Sequence, residues 1–157
     1  MTDPLDSYEL VFLLGLSFQE LTAAFVAELD AAGYDDLRPV HGYALQVVTH
    51  TPEITTSELG EQLGITKQAA GQLVDQLVER GYLARAAHPQ GGRRRRLVLA
   101  ARGRRHLQDA GAILRRVEAS MLSGLPGEQR VAFRSALVAL VRSRVPAPAV
   151  PPLRPQW

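Results

Sequence analysis

The stretch HPQGGRRRRLVLA, His88 to Ala100, places four consecutive arginines behind two glycines and ahead of an alternating apolar run. A guanidinium stays charged and offers a planar fork of N–H donors, so its natural partners are phosphate oxygens and the acceptor edges of bases. An arginine run by itself equally describes a solvated loop. The charges around it favour the first reading. Residues 1–37 hold eight acids (Asp3, Asp6, Glu9, Glu20, Glu28, Asp30, Asp35, Asp36) and no lysine or arginine, whereas residues 81–107 hold eight arginines and no acid. With a formal net charge of only +2, it is the separation of charge that points one end of the chain toward a polyanion. Other chemistries lack their residues. The absence of cysteine excludes a disulfide framework, a thiolate metal site and a cysteine redox switch. His41 and His50 stand nine residues apart, not at the i, i+4 spacing of two helix-borne metal ligands. No acid/base pair, nucleophile group or glycine-rich phosphate cradle has useful spacing, so neither an enzyme nor a cofactor site is expected.

The elements that must carry those arginines are legible as a fold class. At 157 residues and 46% hydrophobic content the chain suits one domain with its own core, about 1–145. Apolar stretches such as LVFLLGLSF are broken by polar residues within a dozen positions, and the N-terminus lacks a basic signal-peptide start. No membrane span is expected, and a reducing cytoplasm fits. From Asp6 to about Ala32, Leu10, Leu13, Leu14, Leu21, Phe25 and Leu29 recur at helical spacing, with Asp6 and Glu9 at capping-box distance and Gly33 as a stop. A second helix is expected from Pro39 to His50. The segment TPEITTSELGEQLGITKQAAGQLVDQLVERGYL then reads as a helix-turn-helix: Thr55 and Glu58 form a capping box, Gly64 breaks the chain, Thr66 caps the second helix and Gly81 closes it. Residues 82–86 and 95–100 read as strands of a hairpin around the arginines. A long helix from Ala101 carries a narrow seam of Leu107, Ala110, Leu114, Val117 and Met121, and a last one spans about 127–144. The tail PAPAVPPLRPQW, within 146–157, reads as extended or disordered.

The run LGITKQAAGQLVDQLVERGYLARAAHPQGGRRRRLVLAARG resembles the recognition helix, wing and following helix start of the MarR family of bacterial winged-helix transcription regulators. The resemblance extends over about residues 7–143. It implies a mainly α fold with a small β-hairpin wing, the winged helix-turn-helix at about 38–100 and dimerisation helices at about 6–32 and 101–144. It further implies a homodimer on a pseudo-palindromic operator and a small aromatic or lipophilic effector. Two positions depart from the family pattern: Gly91 stands where an aspartate is usual in the wing, and Ala100 where threonine usually caps the next helix.

In a helix-turn-helix the N-terminal residues of the second helix meet base edges in the major groove, here Thr66, Lys67, Gln68, Gly71 and Gln72. Glutamine pairs bidentately with adenine, and lysine reaches guanine or a phosphate. An interior glycine costs about 1 kcal/mol relative to alanine, so Gly71 needs a reason such as close approach to DNA or to another helix. By family position Arg93 enters a minor groove while Arg94 and Arg96 meet flanking phosphates; Arg95, which shares strand parity with Leu97, is read as structural. His41 and Tyr43 are the candidate lining of an effector cleft. The expected function is a cytoplasmic, nucleoid-associated transcriptional repressor tuned by a ligand. The rival is a winged-helix protein-interaction module, which leaves the eight arginines without a purpose.

Overall fold

The computed structural model describes residues 3–145. The proline-rich tail lies outside the described residues. Six α-helices and one antiparallel hairpin follow in chain order: α1 (Leu10–Leu29), α2 (Pro39–His50), α3 (Thr56–Leu63), α4 (Lys67–Glu79), β1 (Leu83–Ala87), β2 (Arg95–Leu99), α5 (Ala101–Met121) and α6 (Gly127–Arg142).

The helix-turn-helix forms where its local signals stand. Thr55 Oγ1 accepts the Glu58 N–H at 3.4 Å, and the Glu58 carboxylate accepts the Thr55 N–H at 2.8 Å, closing the capping box on α3. The Thr55 hydroxyl, donating to the same carboxylate at 2.7 Å, together with the Thr55 N–H, holds the Glu58 carboxyl below the usual carboxylate range. Gly64 turns out of α3 at φ 69°, and Thr66 Oγ1 caps α4 by accepting the Ala69 N–H at 3.2 Å. Leu59 and Leu63 of α3 are buried with Leu73, Val74 and Leu77 of α4, on a core shared with Ala44, Leu45, Tyr82 and Leu83. The hairpin pairs Leu83 with Leu99, Arg85 with Leu97 and Ala87 with Arg95. Its returning strand is also stitched to the loop before α3, because Leu97 donates its N–H to the Ile54 carbonyl at 2.8 Å.

Three expectations are corrected. The Asp6–Glu9 capping box does not form; Asp3 instead caps a short 3-10 turn, Pro4–Ser7, and Glu9 is the N-cap of α1 without a side-chain bond. The α-helix ends at Leu29, and a π turn, Asp30–Tyr34, follows with Gly33 at φ 87°. On α5 the buried stripe is Gly103, His106, Ile113 and Val117, while Leu114 and Met121 are exposed. Gly103 faces the start of the hairpin, the Tyr82 carbonyl and the Leu99 side chain, and α1 also packs on α5.

A polar and aromatic knot ties the helical region to the winged helix. Tyr34 donates to Asp109 at 2.5 Å, and His106 sits edge-on between the rings of Tyr34 and Tyr82, 4.6 and 5.9 Å away. Tyr82 donates to Asp36 at 2.7 Å, and the Arg102 guanidinium lies 4.3 Å over the Tyr82 ring while pairing with Asp36 at 3.0 Å. Arg80 donates to the Asp36 carbonyl. Burial and the Asp109 bond push the Tyr34 hydroxyl up to about 12, and burial lowers the His106 imidazole below its usual range.

The terminal helices are another matter. Among the described residues, α1 and α6 contain no buried side chain. Among the described residues, every exposed large hydrophobic lies in the segment Leu5–Phe18, on α5 or on α6, and none in the winged helix. The stretch Leu10–Tyr34, with a mean hydropathy of 1.8, is long and apolar enough to cross a membrane by length and composition. A helix apolar on all sides is also what a protein interface buries.

Candidate nucleic-acid interface

The cap at Thr66 starts α4 at Lys67, so residues 68, 71, 72 and 75 fall on one side of it. Thr66, Lys67, Gln68 and Gln72 are exposed there, and Gly71 is half-buried. A Cβ added at Gly71 would meet nothing within 4 Å among the described residues. Packing against another helix is therefore not why a glycine stands here. What remains is close approach by something outside the chain, at a helix N-terminus whose unpaired N–H groups favour anions.

The wing stands beside that face. Gly91 and Gly92 take up left-handed conformations, φ 74° and 73°, which tightens the tip, and Gly91 donates to the His88 carbonyl at 2.9 Å. Arg93 and Arg94 are exposed in this turn, and Arg94 reaches Gln90 at 3.0 Å. Arg96 is half-buried, and its Nε is buried with no hydrogen-bond partner among the described residues. Arg95 departs from expectation. It shares parity with Leu97 but is exposed, because at this end of the hairpin its partner is Ala87 and the strand has run past the core.

Parity also shows what the motif reading missed. Arg85, paired with Leu97, shares a face with Arg95, and its guanidinium reaches Asp75 of α4 at 2.6 Å. The hairpin thus meets the polar helix at an exposed ion pair, and Arg95 lies on the side of the hairpin that faces α4. Strand alternation alone could have found the Arg85–Arg95 face; the Asp75 partner needed the fold.

Behind α4 opens a cleft of about 460 Å³ whose lining includes Arg38, His41, Gln72, Leu73, Gln76 and Arg80. His41 is in it. Tyr43 is not among its lining residues; it is half-buried against the hydrophobic core. Gln72 faces both this cleft and the exposed side of α4.

The model of the MarR family matches residues 35–94, the segment that carries α2 to α4, β1 and the turn of the wing up to Arg94. The HTH-type transcriptional repressor Rv2887 of Mycobacterium tuberculosis is 30% identical over 96 residues, covering 61% of this chain and 69% of that protein. The chain belongs to the MarR family. As a MarR-family regulator it is not an enzyme. The solved structure of Rv2887 in complex with DNA is 25% identical, with a TM-score of 0.67, and the match covers 85% of this MarR chain and 98% of that one. The Rv2887 complex with salicylic acid is 28% identical with a TM-score of 0.66, covering 86% and 98%. The YusO protein of Bacillus subtilis, at 19% identity and a TM-score of 0.70 over 84% of this chain and 92% of that one, shares the fold.

Proposed function

We propose that this MarR-family chain is a homodimeric, sequence-specific DNA-binding repressor of transcription whose operator affinity is set by a small aromatic carboxylate. One observation carries the reading: an exposed polar helix face with an otherwise unexplained glycine, Gly71, stands beside an arginine wing whose hairpin meets that helix at an ion pair. Thr66, Lys67, Gln68, Gly71 and Gln72 enter a major groove, Arg93 a flanking minor groove, and Arg94 and Arg96 the phosphates between. Arg95 joins the phosphate contacts. The effector site is the cleft behind α4, where Arg38 and Arg80 suit a carboxylate; the relative Rv2887 has been solved in complex with salicylic acid. The protein works in the cytoplasm and is associated with the nucleoid when bound.

The test is a titration of the chain against the DNA upstream of its own gene and against random duplex, over a range of salt. Gln68→Ala and Gln72→Ala weaken operator binding more than random binding, since a bidentate base contact contributes about 1–3 kcal/mol of discrimination. Neutralising one phosphate-contacting arginine per subunit removes two contacts from the dimer, so Arg94→Ala, Arg95→Ala or Arg96→Ala makes the slope of log affinity against log salt shallower by about 1.8. Arg93→Ala shows a loss that grows with the A·T content of the flank. Unchanged affinity and slope in every arginine variant would return the run to a solvated loop and favour a protein-interaction module.

A further inference from the structure

His41 is 3% exposed, and both of its ring nitrogens are engaged. Nδ1 accepts the N–H of Arg38, the N-cap of α2, at 2.8 Å; Nε2 stands 3.2 Å from Oε1 of Gln76 on α4. A nitrogen that accepts from an N–H carries no proton, so the ring is neutral, protonated on Nε2, and donates to Gln76. Gln76 lies one helical turn beyond Gln72, and both line the cleft with His41.

We propose that His41 is a positioning residue for DNA reading: its imidazole ties Gln76 of the reading helix to the first turn of α2, and an anion in the cleft weakens operator binding by breaking this strut. The proposal rests on the reading of α4 as the base-reading helix and deepens it by assigning the route from cleft to helix.

The charges around the ring explain how the strut responds. Asp35 and Asp36 face it from the loop before α2, Arg38 from the start of α2, and Gln72, Gln76 and Arg80 from α4. Burial, with Arg80 and Arg38, outweighs the Gln76 hydrogen bond and Asp36 and keeps the imidazole below its usual range, so it is neutral at neutral pH. A carboxylate seated between Arg38 and Arg80 cancels that cationic pressure and raises the ring's proton affinity. By linkage, anion binding and proton uptake then favour each other. A proton on Nδ1 sets two N–H donors face to face at Arg38, so the strut breaks at its α2 end while Nε2–H can still donate to Gln76.

The experiment uses the full chain labelled with 15N-histidine, with salicylate as the probe anion. At pH 7.5 the His41 resonances should report a bare Nδ1 and a protonated, slowly exchanging Nε2–H; in Gln76→Ala, which alters an exposed side chain, that slow exchange should be lost. His41→Asn retains an oxygen that can cap Arg38 but cannot reach Gln76. It should lower the operator-over-random affinity ratio about tenfold, and the double variant should be no worse than either single one. As the pH falls below the ordinary imidazole range, or on adding salicylate, the parent ratio should fall toward the flat ratio of His41→Asn. A cationic or Nδ1–H ring at pH 7.5, or losses that add in the double variant, would overturn the proposal. If the parent selects no duplex, the DNA reading itself falls; the strut is then judged by the tautomer and by amide exchange along α4, and unchanged exchange in His41→Asn overturns it.

Discussion

Phe12→Glu combined with Leu16→Glu abolishes operator binding without touching any DNA-facing residue. Phe12 and Leu16 are 60% and 42% exposed and lie one turn apart on α1, and Val131 of α6 is 67% exposed. A monomer rarely leaves a contiguous apolar patch of more than a few hundred Å² in water, so these faces are covered by a second copy. Light scattering of the parent at micromolar concentration should give a particle of twice 17.1 kDa, and the double glutamate variant should run near 17.1 kDa or fail to fold. A pair of linked reading heads gains about 10²–10⁴-fold in affinity over one head, and that factor is what the variant loses. A folded parent monomer that still binds the operator tightly would refute the arrangement.

Gly103→Ala, at the start of α5, should be the most destabilising methyl added at any glycine among the described residues. A Cβ at this position overlaps the Tyr82 carbonyl oxygen and comes within 3.2 Å of its carbon, and that oxygen already accepts the Ala100 N–H at 2.9 Å. The obstacle is backbone held by a hydrogen bond, not a side chain that can swing aside. Overpacking typically costs about 1–3 kcal/mol, and an obstacle made of backbone puts this site at the upper end, about 3 kcal/mol. The melting temperature should fall by roughly 6–12 °C for a chain of this size. Gly71→Ala is the counterpart: with open space around it, it should raise stability by up to about 1 kcal/mol while weakening operator binding. A calorimetric scan of the two variants checks both, and equal melting temperatures would contradict the close approach at Gly103.

The contrast between these two glycines marks where sequence reasoning reaches and where it stops. The capping box of Thr55 and Glu58, the left-handed Gly64 and the Thr66 cap are local devices, and each formed where its spacing placed it. The Asp6–Glu9 pair has the same spacing and formed nothing, because Asp3 had already started a tighter turn. Parity correctly aligned Leu97 with the core but misassigned Arg95, since alternation gives the face of a strand and not where the core beneath it ends. The ion pair of Asp75 with Arg85 and the two bonds of His41 join residues whose meeting depends on how α2, α4 and the hairpin pack. Tyr43 looked like a cleft residue for its aromatic ring; the turn of α2 put it against the core instead.

Asp36 receives Tyr82 and Arg102 on its carboxylate and Arg80 on its carbonyl, so one residue fastens the ends of α4, β1 and α5 near a common point. In a dimer built on the terminal helices, this makes each reading head a rigid arm of fixed length. The assembled molecule then behaves as a caliper. One extra base pair between half-sites moves the second by roughly 3.4 Å and turns it by roughly 35° about the duplex axis, a change that rigid arms cannot follow. Operator spacing, more than any single base within a half-site, becomes the quantity that this regulator measures.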